Sequence, residues 1–355
     1  MSELAEEALS TVATNQGSVT FLIPTLNPRY LRRCLESIKR QEYPTKLIEI
    51  LVVDGGSNDE TTETAGQFGA IVVDNPLRTT EAARAIGTRL ARGEFLVFLD
   101  SDNELIGNHW VETMLRPFKD ERVVACEPLF WDSDSGDLTA IDRYCALLGM
   151  NDPLNLFLGN YSHYSNLTGR WTDLPISWIE CDGYLEIQPP TNDKEVLPTL
   201  GSNGCTFRTR ILRQRPSGDY LFHLDLVQAL WLDRSLRIAR APVSVAHYYA
   251  DSLRTYVKKA TRNVEDHYFF RETGVRTYPY DALGFRGVVM FVVFSVLLIP
   301  TIAQAIRGYR HRPDSAWWLH PICCFLVAGT YGRETLRLKL RRDRARPFDR
   351  DQVKW

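Results

Sequence analysis

Paired cysteines are missing from this chain of 355 residues. The seven present (Cys34, Cys126, Cys145, Cys181, Cys205, Cys323 and Cys324) are odd in number and form no C-x-x-C pair. That excludes a disulfide framework or a zinc ribbon and reads as reduced, cytosolic usage. An excess of either charge is also missing: Lys plus Arg number 42 against 44 Asp plus Glu. A dedicated nucleic-acid binder carries a clear basic surplus, so no nucleic-acid partner is expected. The first 17 residues, MSELAEEALSTVATNQG, have no apolar stretch of the kind a secretory signal needs. They read as a mobile leader, with the domain that follows in the cytoplasm and the sequons at Asn160 and Asn166 as chance matches. No internal repeat is visible. Apolar residues are not scarce: at 44% they suffice for a large core.

What is present is a regular alternation. Val19 to Ile23 is a buried-strand candidate stopped by Pro24, and Asn27-Pro28 then opens a helix with Leu31, Leu35 and Ile38 at helical spacing. Ile48 to Val53 is a second strand, ending in the polar, Gly-rich Asp54-Gly55-Gly56-Ser57-Asn58-Asp59. Ile71 to Val73 is a third. Thr79 to Arg92 is a helix with Ala82, Ala83, Ile86 and Leu90 on one face. Phe95 to Leu99 is a fourth strand, running into Asp100-Ser101-Asp102. Strand and helix alternating at this spacing predict a Rossmann-like α/β fold with a mainly parallel sheet. Ligands in such sheets sit outside the carboxyl ends of the strands. Three of the four strands here end in polar signals there. Later, Gly201-Ser202-Asn203-Gly204 precedes a strand at Cys205 to Arg208, a helix begins near Asp225, and Arg237 to Ala246 is a further strand.

Two carboxylates one residue apart at a strand end, Asp100 and Asp102, can converge on a hard cation. Glu104 stands two residues further and can join them. Mg²⁺ or Mn²⁺ so held neutralises the charge of a departing pyrophosphate. Taken alone, D-x-D is more often a surface turn; its place after a buried strand, beside the other polar loops, favours the metal reading. The Asp54 carboxylate can accept from a base N–H, with Gly55 and Gly56 allowing close backbone approach. It can equally cap the helix that follows.

As an ordered set, Phe21-Leu-Ile-Pro-Thr-Leu-Asn, Val52-Val-Asp-Gly-Gly-Ser-Asn-Asp, Ala82-Ala-Arg84 and Gly93-Glu-Phe-Leu-Val-Phe-Leu-Asp-Ser-Asp102 resemble the family 2 glycosyltransferases of the GT-A fold, over residues 18 to 250. The resemblance implies a nucleoside-diphosphate sugar donor; a lipid-linked or glycan acceptor is expected beside it, the lipid form on account of the apolar run after Arg286. The resemblance implies a nucleotide-sugar site of Pro24, Thr25, Asp54, Gly56, Arg84, Asp100, Ser101, Gly201 and Asn203, with Thr25 and Asp54 at the base. It implies a metal held by Asp102 and Asp100, joined by Glu104 and by His247 after its strand. The catalytic base expected at a Glu-Asp pair opening a helix falls on Asp225. His223 departs from that pair and, with Asp219, is a rival. The implied reaction is inverting transfer, with an oxocarbenium-like transition state as in glycoside hydrolysis.

From Gly287 to Ile306 no residue is charged, and Arg286 and Arg307 bracket the run. Twenty such positions match a bilayer core, so one spanning or deeply inserted helix is expected, held by membrane lipids. Ser315 to Gly332 is a weaker second candidate, interrupted by His320 and Pro321. A basic tail follows Gly332, suited to an anionic leaflet. The expected organisation is a leader over 1–17, a transferase domain over 18–280 (nucleotide-binding half 18–126, acceptor and catalytic half 127–250), membrane segments over 281–332 and the tail over 333–355. The terminal Gln352 to Trp355 is read as a chance likeness to the acceptor motif of processive synthases. A polyprenyl-phosphate sugar synthase is the neighbouring reading. A nucleotidyltransferase would carry a Gly-rich basic loop after the first strand, which Pro24-Thr-Leu-Asn-Pro is not. A non-catalytic membrane scaffold on a degenerate transferase fold is opposed by the retained aspartates.

Overall fold

The computed structural model describes residues 17–215, 218–273 and 276–340. Residues 1–16 of the leader and 341–355 of the basic tail lie outside the described residues. The first half alternates as the apolar pattern predicts: β1 (Val19–Thr25), α1 (Leu31–Lys39), β2 (Ile48–Asp54), α2 (Thr61–Gln67), β3 (Ile71–Asp74), α3 (Thr80–Leu90) and β4 (Phe95–Phe98). There follow β5 (Asn103–Ile106), α4 (Trp110–Leu115), β6 (Val123–Trp131), α5 (Ala140–Leu148), α6 (Leu154–Leu158), β7 (Trp178–Cys181) and β8 (Tyr184–Ile187). Next come β9 (Cys205–Arg208), α7 (Thr209–Arg213), α8 (His223–Leu232), β10 (Arg237–His247) and α9 (Leu253–Thr273). The chain closes with α10 (Phe285–Leu297), α11 (Ile299–His311) and α12 (His320–Leu340).

One sheet joins all ten strands in the order β3-β2-β1-β4-β9-β6-β10-β8-β7, with β5 on β10. Neighbouring β1 residues face opposite sides, so Phe21 and Ile23 pack with Leu35, Ile38 and Val52 in one layer. Leu22 packs with Leu51, Ala83 and Phe98 in the other. Both faces are covered, which is why these strands read as unbroken apolar runs. Gly87 lets α3 lie close on β1: a Cβ there would meet Leu22 Cδ1 at 2.2 Å.

The sheet is mixed, which corrects the expectation of a mainly parallel one. The pairs β1–β2, β2–β3, β1–β4 and β6–β10 are parallel. The pairs β4–β9, β6–β9, β10–β8, β10–β5 and β7–β8 are antiparallel. The βαβ spacing governs only the first four strands. Strand β9 then arrives from a long loop and slots between β4 and β6 in the opposite sense, a choice made by long-range packing.

The C-terminal apolar run is also corrected. It is two helices of 13 residues each, bent by 92° at Leu298, whose φ is +60°. Pro300 has no N–H, and within a continuous helix its ring would strike the carbonyl four residues back. The chain therefore stops and restarts, with Pro300 in the first turn of α11. Each half is roughly 20 Å long, short of the ~30 Å hydrocarbon core. Among the described residues no single helix is long and apolar enough to cross a membrane. The second candidate, Ser315 to Gly332, is a 3₁₀ turn followed by the first part of α12. Cys323, Cys324 and Val327 of α12 are buried in a core cluster with Tyr144 of α5, Tyr256 of α9 and Phe291 of α10.

Candidate active site

The site lies where β1, β2 and β4 end. Thr25 and Asp54 are register partners on adjacent strands, and the Thr25 hydroxyl donates to Asp54 Oδ1 at 2.9 Å. Asp54 Oδ2 accepts from the Gly56 and Ser57 amides at 3.1 and 2.8 Å, and Ser57 Oγ donates to Oδ1 at 2.5 Å. Asp54 therefore shapes its own loop. The face over Gly56 is open, with nothing within 4 Å of where a Cβ would stand. Asn27 laces this loop to the end of β1: its amide donates to Ser57 Oγ, and its side-chain oxygen accepts from the Asn58 amide. Pro24 and Ser101 are half-buried along the same edge.

Arg84, on the inner face of α3 and 3% exposed, reaches two partners. One guanidinium nitrogen donates to Asp100 Oδ1 at 3.2 Å and another lies 2.7 Å from His223 Nδ1. An arginine can only donate, so Nδ1 accepts and the ring proton sits on Nε2. Burial, and then the positive charges of Arg84 and Arg276, push the His223 pKa well below its ordinary value. His223 is thus a neutral imidazole with neither nitrogen free to take a proton, which argues against it as a base. The other rival, Asp219, is exposed on the loop before α8.

Asp225 stands in the first turn of α8. Its Oδ1 accepts from the backbone amides of Thr277 and Tyr278 at 3.1 and 2.6 Å, and its Oδ2 lies 3.6 Å from Arg276 Nε. It fastens the segment that leads to α10, a role the sequence did not suggest. Gly201 and Asn203 hold left-handed conformations, φ +110° and +53°. A Cβ on Gly201 would meet Val227 Cγ2 at 2.8 Å and His223 Cβ at 3.2 Å, so the 201–204 loop lies directly on the start of α8. The Gly201 amide donates to Glu127 Oε2 at 2.9 Å. Burial raises the Glu127 carboxyl to about 7, against the pull of Arg240 and of hydrogen bonds from Cys205 and Gly201.

Asp102 faces the other end of the site. Its Oδ2 is 3.6 Å from His247 Nε2 and 4.0 Å from Lys259 Nζ. Burial works to raise its carboxyl, but His247 and Lys259 outweigh that and hold it below the ordinary value. His247 Nδ1 is buried without a hydrogen-bond partner, so the ring is held by packing between Trp131 and Tyr249.

The metal set is smaller than expected. Asp100 is turned to Arg84. Glu104 is spent elsewhere, its Oε1 on Arg40 at 2.7 Å and its Oε2 on the Tyr248 hydroxyl at 2.8 Å and near Arg33. Glu104 is held by Arg33 on α1, by Arg40 just past the end of α1 and by Tyr248 just past the end of β10. Among the described residues no group of three or more His, Cys, Asp or Glu side chains is arranged to hold a metal. Asp102 and His247 remain as an oxygen and a nitrogen donor. That pair suits Mg²⁺ or Mn²⁺, since such ions take one or two protein ligands and fill the rest with water and phosphate oxygens.

Lys259 and Glu127 were missed in the sequence. Glu127 carried a signal, a lone acid within the apolar run Val123 to Trp131. Lys259 carried none, since its neighbour Lys258 is an equal candidate. A cavity of about 400 Å³ lined by Arg92, Glu94, Glu121, Arg208, Arg210 and Arg213 lies at the opposite ends of the strands. There Arg208 and Arg213 donate to backbone carbonyls and Arg210 to Glu121, so the cluster ties the fold together.

An acidic strand end with one nitrogen donor thus stands beside a Gly-lined loop and a buried arginine at one edge of an α/β sheet. Residues 20–173 match the family model described as Glycosyl transferase family 2. That stretch is somewhat less than half of the chain and holds β1 to β6. Glycosyltransferase AglE of Haloferax volcanii is 36% identical over 91 residues, 24% of this chain and 30% of that protein. Glycosyltransferase GlyG of Streptococcus pneumoniae is 27% identical over 163 residues, 42% of this chain and 52% of that one. The chain thus spans about a third to a half of the length of these relatives. Among solved structures, a mannosyltransferase from Pyrobaculum calidifontis in complex with GDP-Man and Mn²⁺ aligns with a TM-score of 0.49 at 16% identity, over 90% of this chain and 88% of that one. Glucosyl-3-phosphoglycerate synthase from Mycobacterium tuberculosis, with Mn²⁺, UDP-Glc and phosphoglyceric acid, aligns with a TM-score of 0.46 at 17% identity, over 75% and 83%.

Proposed function

We propose that this chain is an inverting glycosyltransferase that moves a sugar from a nucleoside-diphosphate donor to a lipid-linked or glycan acceptor at the cytoplasmic face of a membrane. The observation that carries this is the meeting of the Asp54 loop, Asp100 to Asp102, Arg84, Gly201 and the start of α8 at one sheet edge, within and just beyond the matched domain. The Asp54–Gly56 cradle receives the nucleotide. Arg84 holds Asp100 and the α8 start in fixed relation. Asp225 takes the proton from the acceptor hydroxyl, its carboxylate fixed at the start of α8 by two amides on Oδ1 and by Arg276 beside Oδ2. Asp102 and His247 would hold Mg²⁺ or Mn²⁺, which when bound supplies positive charge to the departing diphosphate.

The membrane part rests on the bent pair. Phe285, Val296, Leu297 and Ile299 are 78, 64, 59 and 77% exposed. Exposed Arg286, Arg307 and Arg310 flank the apolar bend. That combination supports shallow insertion into one leaflet, with the basic rim on anionic headgroups. The apolar surface also supports the second reading, a polyprenyl phosphate as acceptor.

The test is turnover of a panel of nucleotide sugars by the full chain in vesicles, with Mn²⁺, with Mg²⁺ and with EDTA, with and without polyprenyl phosphate. Metal-dependent release of a nucleoside diphosphate is expected for one donor. No release and no thermal stabilisation by any donor refutes the proposal.

A further inference from the structure

We propose that Lys259 is a binding residue for the diphosphate of the donor, an anion-holding cation that shares Asp102 with the divalent ion; this rests on the glycosyltransferase reading above. Lys259 stands on α9, outside the matched family domain. Its stem is packed so that the side chain is 24% exposed, and its ammonium lies 4.3 Å from the centre of the Tyr249 ring. The head is thereby aimed at the acidic strand end and not at bulk water. A lysine drawn this far out of water needs anionic partners to offset the loss of hydration. Asp102 at 4.0 Å is an ion-pair partner but too distant for a hydrogen bond, and among the described residues the ammonium donates none. Its three donors are therefore available to an anion.

The charges of the site give this cation a task. Asp100 is already balanced by Arg84. Among the described residues the charged partners of Asp102 are His247 and Lys259, and its Oδ1 accepts from the Asn103 side-chain amide at 3.3 Å. A divalent ion held by Asp102 and His247 would be opposed by the ammonium of Lys259. With a diphosphate beside that ion, Lys259 would have anionic oxygens to receive its three donors. Lys259 then opposes the metal in the absence of nucleotide and supports the nucleotide in the presence of metal. A lysine that only fills space would do neither.

Two readouts in the full chain separate these roles. The first is Mn²⁺ affinity without nucleotide, from the resonance of free Mn²⁺. The second is affinity for UDP and for GDP at saturating Mn²⁺, by calorimetry. Lys259→Met is expected to bind Mn²⁺ alone about threefold or more tighter, and the preferred nucleoside diphosphate about tenfold weaker, the scale of one charge-assisted contact. Lys259→Arg keeps the cation and is expected to retain nucleotide binding. Lys259→Gln is read in the same way as Lys259→Met, so a folding failure of one variant does not end the test. If either affinity is unmoved in the folded neutral variants, the assignment is wrong. Failure of the unaltered chain to bind any nucleoside diphosphate with Mn²⁺ refutes the glycosyltransferase reading itself, and the assignment with it.

Discussion

Replacing Val296 and Ile299 together by serine should detach the protein from membranes without unfolding it. The two side chains are 64 and 77% exposed at the bend between α10 and α11, so they contribute little to the folded core. Burying a Val, Leu, Ile or Phe side chain fully is worth about 1.5–3 kcal/mol, so the exposed parts of Phe285, Val296, Leu297 and Ile299 together offer a leaflet roughly 4–8 kcal/mol. The two substitutions remove about half of that, on the order of 2–4 kcal/mol, or roughly 30- to 1,000-fold in partitioning. Arg286, Arg307 and Arg310 add about 1 kcal/mol each on an anionic surface, and salt screens that part. The assay is flotation with vesicles of neutral lipid and of lipid with an added anionic component, at low and high salt. The double variant should stay in the soluble fraction with neutral vesicles while melting at the temperature of the unaltered chain. Equal flotation of both proteins refutes the insertion argument. So does release of the unaltered chain by salt alone, which would leave only the basic rim at work.

Asp102→Asn should weaken Mn²⁺ binding and abolish most turnover while the melting temperature holds; turnover near the unaltered rate in Mn²⁺ would exclude the metal role. Asp225→Asn should lower turnover about 10²- to 10⁴-fold with donor affinity retained, since a general base acts on the rate and not on the donor. A matched loss of stability in that variant would instead mark Asp225 as only the clasp of residues 277 and 278. Glu127→Gln should flatten the pH dependence of melting. With its folded carboxyl at about 7, Glu127 binds more protons in the folded chain than in the unfolded one between about pH 4.5 and 7, so stability falls as pH rises through that window. An unchanged melting profile from pH 4.5 to 7 would show that Glu127 does not titrate this way.

The local signals in the chain were enough for the first half of the fold. Apolar runs at Val19 to Ile23, Ile48 to Val53 and Phe95 to Leu99 became β1, β2 and β4 because each is buried on both faces. The polar residues that stop them gathered at one edge, as parallel strands require. Length and apolarity from Gly287 to Ile306 suit one continuous helix, but the fixed ring geometry of Pro300 prevails over both. Contacts distant along the chain decided the remainder. Strand β9 entered antiparallel between β4 and β6 because its partners were already in place. Glu104 left the expected metal set because Arg40 and Tyr248, distant along the chain, take up both oxygens of its carboxylate. Arg84 met His223 across 139 positions, and Lys259 on α9 met Asp102 before β5, and no local propensity encodes polar pairs of that range. Sequence by itself determined which residue types the site would contain. Tertiary structure decided which of them face one another, because only packing fixes the few ångströms over which ions and hydrogen bonds act.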